Sequence, residues 1–169
     1  MKFLENNEFN ALTYDIMQNE EFLKLNGYVH HGLTRMEHSL RVAYYSYKTA
    51  KVLKLDYKEV AVGALLHDFF HEDYEEIPMR IYSMFTHAKK SLKNSSALFE
   101  LSDMQKDIIE THMFPISFYK PPKYLESWLV SIVDKLCSIY EFSLQSRKVL
   151  THSHACQAVL TISIISRLI

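Results

Sequence analysis

An all-α fold is predicted by three features of the sequence: capping signals ahead of apolar runs, apolar residues recurring at steps of three and four, and only three Gly and four Pro among 169 residues. The length suits one compact domain over 1–169, able to bury about 70% of the surface its unfolded chain exposes. Apolar residues make up 48% of the chain, enough to offset chain entropy, so a disordered state is excluded.

The elements follow in order. Thr34-Arg-Met-Glu37 reads as a capping box, the Thr34 hydroxyl accepting a backbone N–H while Glu37 reaches back. Leu40, Ala43, Tyr47 and Ala50 then recur at helical steps. Asp56-Tyr-Lys-Glu59 repeats the signal with an aspartate cap and opens Val60–Leu66, apolar nearly all round, which predicts a central helix covered on most sides. A loop is expected near Glu75–Pro78, then a helix from about Thr86 to Phe99. Ser102-Asp-Met-Gln105 caps a short helix ending near His112, ahead of Pro115. Pro121-Pro122 mark a loop, Tyr124–Leu150 reads as a long apolar helix, and Ser153–Leu168 as a last one. The expectation is a bundle of six to seven helices with no strand of useful length.

Nineteen basic against twenty acidic side chains leave a net charge of −1, which argues against a coat for nucleic acid. Cys137 and Cys156 form neither a disulfide framework nor a zinc-knuckle spacing and read as small buried thiols. MKFLENNEFN lacks the apolar run of a signal peptide, and polar residues break Ala155–Ile169 short of the about 20 residues that a membrane span needs. A reduced, cytoplasmic protein is expected, with no membrane segment and no nucleic-acid polymer as partner. The apolar face of Val159–Leu168 suits either a homodimer contact or the domain's own core.

Two places break the hydrophobic logic. His67-Asp68 sits in Gly63-Ala-Leu-Leu-His67-Asp68-Phe-Phe70, and Asp134 in the apolar run Ser131–Ile139. A buried carboxylate without a partner is costly, so each acid needs one. For Asp134 alone, a salt bridge to Lys135 or an arginine would serve. Metal binding accounts for both places together. Neighbours on a helix point about 100° apart, so His67 and Asp68 can bracket one ion. His38, on the preceding helix, and Asp134, on a third, would complete the set. Imidazole nitrogen with carboxylate oxygen suits Fe, Mn, Co or Zn.

His38, then His67-Asp68 after Ala64-Leu-Leu, then Asp134 in an apolar helix, resemble the H…HD…D signature of the HD-domain metal-dependent phosphohydrolase superfamily, over roughly residues 30–140. The resemblance implies an all-α fold, a divalent transition metal, and a metal-dependent phosphohydrolase acting on a nucleotide or another small phosphate ester. It implies further that His87 and His112 lie where binuclear members place the ligands of a second ion. His38, His67, Asp68 and Asp134 would then hold one ion, Asp68 bridging to a second completed by His87 and His112. Asp68 and Asp134 would orient the ions and accept hydrogen bonds during catalysis.

The sequence also departs from the pattern. Many members continue HD-x-Gly-Lys, whereas Phe69, Phe70 and His71 follow here. His71 falls one turn after His67 if the helix continues, as a proton shuttle, a group supporting the ligands or plain surface. No Gly-Tyr-Pro motif of the cyclic dinucleotide phosphodiesterase branch follows, which argues against that substrate. Arg35, Lys135 and His71 are the candidates for contact with substrate, Arg35 being three residues before His38. His31 is close enough to the capping turn to border the site, while His152 and His154 read as connector residues. Two other functions fit the same ligands: a di-iron oxygenase, and a metal-stapled sensor that binds a nucleotide without cleaving it.

Overall fold

The computed structural model describes residues 5–30, 33–71, 77–118 and 120–165, with side chains over 5–28, 33–71, 82–118 and 120–146. Seven α-helices carry the described chain: α1 (Asn7–Met17), α2 (Glu20–Leu23), α3 (Arg35–Leu53), α4 (Tyr57–Leu66), α5 (Ile77–Leu98), α6 (Asp103–Thr111) and α7 (Leu125–Ile165). A 3-10 turn over Lys24–Gly27 leads into a two-residue ribbon, β1 (Val29–His30) antiparallel to β2 (Leu33–Thr34).

Helix α4 is the axis of the domain. Its Val60, Ala61, Gly63, Ala64, Leu65 and Leu66 are all buried, and α1, α3, α5, α6 and α7 pack against it. Gly63 sets how closely α6 approaches: a Cβ there would meet three side-chain atoms of Ile108 at 3.0 Å. That contact brings the end of α4 against the end of α6, where His67 and His112 lie.

Thr34 and Ser102 make the expected reciprocal capping boxes on α3 and α6. Asp56 caps α4 by accepting from the Lys58 and Glu59 N–H groups, both at 3.2 Å, but its own N–H is taken by Glu126 of α7 at 3.1 Å. Glu59 accepts instead from the Ser102 hydroxyl, so tertiary contacts reassign the return arm of that box.

Three boundaries differ from expectation. Helix α5 begins at Ile77, not near Thr86, because Pro78 lies in its first turn, where a missing N–H breaks no bond. Thr86 is therefore inside the helix, its hydroxyl donating to the Tyr82 carbonyl at 3.0 Å. Helix α7 runs unbroken from Leu125 to Ile165, so the segments expected as two helices are one, and His152 and His154 fall within it, not in a connector. Helix α4 ends at Leu66, with His67 as its C-cap, so His71 does not extend the face of His67. The N-terminal α1 and α2 had no predicted counterpart, although Asn6 caps α1 and Phe9, Thr13 and Ile16 form its buried stripe.

Cys137 is buried, as expected, and burial pushes its thiol up to about 12. His31 and the side chains of Cys156 and Val159–Leu168 lie outside the described residues. No described helix is long and apolar enough to cross a membrane.

Candidate metal centre

Five helices each present a ligand-type side chain to one buried point: His38 from the first turns of α3, His67 and Asp68 from the end of α4, His87 from α5, His112 from the end of α6, and Asp134 from α7. All six residues named from the sequence as ligands are brought together. Three overlapping sets arise, His38–His67–Asp68, His67–His112–Asp134 and Asp68–His87–His112, each with ligand atoms within 4.8 Å of one another. Asp68 Oδ1 lies 3.4 Å from His87 Nε2 and 3.6 Å from His112 Nε2, and Asp68 Oδ2 lies 3.8 Å from His67 Nε2. Asp134 Oδ1 sits 3.1 Å from His38 Nε2 and 3.6 Å from His67 Nε2.

The far side of each ring aims it. Nδ1–H donates to a backbone carbonyl in three cases: His67 to Ala64 at 2.7 Å, His87 to Ser83 at 2.8 Å, and His112 to Ile109 at 2.8 Å. Each carbonyl lies three or four residues earlier, where the helical path puts it beneath the ring. With Nδ1 occupied by the carbonyl, each ring turns its Nε2 into the centre. His38 differs, its Nδ1 lying 2.8 Å from Glu141 Oε2, and Glu141 is held in turn by Arg41 at 2.7 Å. Glu141 and Arg41 were not foreseen. The signal was there, since Glu141 stands two helical turns after Asp134 and Arg41 stands three residues after His38.

The electrostatics suit a cation. Burial would raise the Asp68 carboxyl, but the imidazoles of His67, His87 and His112 hold it well below the usual carboxylate range. Asp134 is likewise held low against burial by its hydrogen bond with His38 and by the nearby His67 imidazole. Burial, reinforced by His67 and His87, pushes His112 down to about 3, so its ring is neutral at pH 7. His38 goes the other way, to about 10: hydrogen bonds to Asp134 and Glu141 outweigh its burial.

The donor set fits a divalent transition metal on two observations. His67 Nε2 and Asp68 Oδ1 are buried with no hydrogen-bond partner, a costly arrangement unless something binds them. His87 Nε2 and His112 Nε2 stand 2.9 Å apart, within hydrogen-bond range, while each Nδ1 already donates to a carbonyl, so both inward nitrogens converge where a proton or a metal ion can be held. Imidazole nitrogen mixed with carboxylate oxygen is a donor set suited to a divalent metal ion.

The residues after Asp68 brace the turn that carries it. Phe69 is fully buried against Phe22, and its carbonyl accepts from Asn94 Nδ2 at 3.1 Å. Phe70 lies between Arg35 and His87: the Arg35 guanidinium stands 3.7 Å over its ring and donates to its carbonyl at 2.7 Å. Arg35 is buried in this contact. His71 turns away from the six ligands, toward Tyr28, Phe69 and Glu21, with Nε2 4.0 Å from Glu21. Lys135 is half-buried at the rim, donating to the His112 carbonyl at 2.6 Å, with Asp134 Oδ2 at 3.5 Å.

Helices enclosing converged imidazoles and carboxylates define an all-α domain built round a centre able to hold metal. The HD domain family model matches residues 35–139, more than half of the 169-residue chain and the stretch that spans every one of these ligands. The chain belongs to the HD domain family, in general a family of metal-dependent hydrolases. No curated protein and no solved structure matches it.

Proposed function

We infer that the domain is a binuclear metal-dependent phosphohydrolase acting on a small phosphate-bearing substrate, such as a nucleotide or another phosphate ester. The observation that carries this is the position of Asp68. One carboxylate oxygen faces His87 and His112, the other faces His67, and Asp134 stands across from it with His38. A carboxylate so placed would be shared by two ions, one held by His38, His67, Asp68 and Asp134, the other by Asp68, His87 and His112.

The charge balance favours an anionic substrate. Four of the six ligands are imidazoles, and two carboxylates cancel only half the charge of two divalent ions. Phosphate oxygens would supply the remainder. When bound, such ions lower the pKa of water to about 7 and stabilise attacking and leaving oxygens together.

The chain's own part is placement. Asp68 and Asp134, held ionised, keep an acceptor toward the proton of an attacking water. His67, His87 and His112 direct Nε2 inward and are ligands, not bases. Lys135 is the cation we assign to the substrate's phosphate oxygens, in place of the lysine that usually follows the HD pair. Arg35 would act from behind, by fixing the Phe70 carbonyl and with it the turn that carries Asp68. His71 would line the outer side of that turn. The whole reads as a cytoplasmic enzyme of small molecules.

The test is phosphate release from nucleotides and simple phosphate esters by protein loaded in turn with Mn, Co and Fe. Metal-dependent release with redox-inert Mn or Co is the expected result. Protein carrying its metal that releases no phosphate from any of them overturns the reading. Oxygen consumption confined to the Fe form would put an oxygenase in its place, and a nucleotide recovered uncleaved a sensor.

A further inference from the structure

Three of the four imidazoles at the centre are aimed by carbonyls of their own helices, at 2.7 to 2.8 Å. His38 alone is aimed by a charged group from another helix. Glu141 is 4% exposed, accepts from His38 Nδ1 at 2.8 Å, and is held through its other oxygen by Arg41 Nη1 at 2.7 Å. Glu141 and Asp134 stand on the same face of α7, two turns apart, so one helix grips His38 at both nitrogens. Arg41 and His38 share α3 in the same way, which closes the contact into a four-residue clasp between α3 and α7.

A carboxylate behind a ligating imidazole fixes its tautomer and makes its other nitrogen a better donor than a neutral carbonyl does. A buried carboxylate is costly without a cation, and Arg41 is that cation. The clasp therefore has a specific consequence for the metal centre, because His38 belongs to one ion's ligand set and not to the other's.

We propose that Glu141 is a positioning residue for one ion only: held by Arg41, it aims and enriches His38 Nε2 and so strengthens the site made by His38, His67, Asp68 and Asp134, leaving the site made by His87 and His112 unaffected. The proposal rests on the binuclear reading above.

The experiment is calorimetric titration of the metal-free protein with Co(II), alongside its melting temperature before metal is added. Glu141→Gln keeps the shape and removes the charge. One of the two binding steps is expected to weaken about 10- to 100-fold, with the other step unchanged. Equal weakening of both steps, or of neither, overturns the proposal. Arg41→Gln is the second variant, at the more exposed partner, and the melting temperature taken before metal is added shows that each variant is folded. This second variant should weaken the same step by a smaller factor, and an unchanged isotherm there also overturns the proposal. Wild-type protein that takes up no Co(II) would instead defeat the binuclear reading, a different result from two intact steps in Glu141→Gln.

Discussion

His87 Nε2 and His112 Nε2 face each other across 2.9 Å, each ring having already given its Nδ1 proton to a backbone carbonyl. At that separation the two nitrogens share a proton or bind a common cation. The backbone of α5 and α6 thus holds two nitrogen ligands aimed at one point.

On the proposed binuclear reading, the two ions should respond differently to loss of a ligand. Asp68→Ala removes the carboxylate that faces both ligand sets, so both ions and phosphohydrolase activity should be lost together. His112→Ala touches mainly the set with His87 and should cost one ion. Elemental analysis of the purified variants, beside turnover, reads the difference. Full metal content and turnover in Asp68→Ala would refute the bridging position.

The separation of α4 and α6 should be just as critical as any ligand. Gly63→Val puts methyl groups where even a Cβ meets Ile108 at 3.0 Å, and Ile108 is fully buried and cannot turn away. Overpacking of this kind costs about 1–3 kcal/mol. Chemical denaturation should show that loss. Co(II) affinity should fall as well, because His67 and His112 sit at the ends of the two helices being forced apart. Wild-type stability in Gly63→Val would mean that the helices can separate without penalty.

Acid should weaken the attachment of α1 to α3. Glu8 accepts from Lys51 and, at 2.6 Å, from the hydroxyl of buried Tyr47; bonds to Lys51 first and then Tyr47 bring its carboxyl from 4.5 down to about 2. A folded-state value below the unfolded one means stability that is fully present above pH 4.5 and lost as the pH falls through about 2. Glu8 is exposed, so the contribution is small. Melting curves of wild type and Glu8→Gln from pH 7 to pH 2 should converge toward the acid end. A gap that stays constant across that range would show that the Glu8 charge does not take part.

Much of the centre was legible because its chemistry is incompatible with its surroundings. His67-Asp68 and Asp134 stand out in apolar helices, since Lys135 is the one other charged residue in those runs, and the order of His38, His87 and His112 about them matches a known signature. Glu141 and Arg41 are not legible as partners of His38 in the sequence, because a single charged residue on a helix looks like solvated surface until its contact on another helix is known. His71 was set on the face of His67 by extending α4 past its end. The helix stops at Leu66, where the chain turns to bury Phe69 and Phe70.

Legible from the sequence alone were the helical class, the caps at Thr34, Asp56 and Ser102, and the six ligand-type residues that the fold brings together. These are local properties: a cap is read over four residues, an amphipathic face over two turns, a misplaced charge from its immediate neighbours. The tertiary structure alone decided that α5 starts early, that α7 is one helix, that Glu126 completes the cap of Asp56, and that Glu141 stands behind His38. Each of these depends on residues far apart in the chain, or on a proline tolerated only by virtue of its place in a turn. Packing chooses among such options by burying apolar surface and finding a partner for every buried charge, and that choice is made over the whole domain at once.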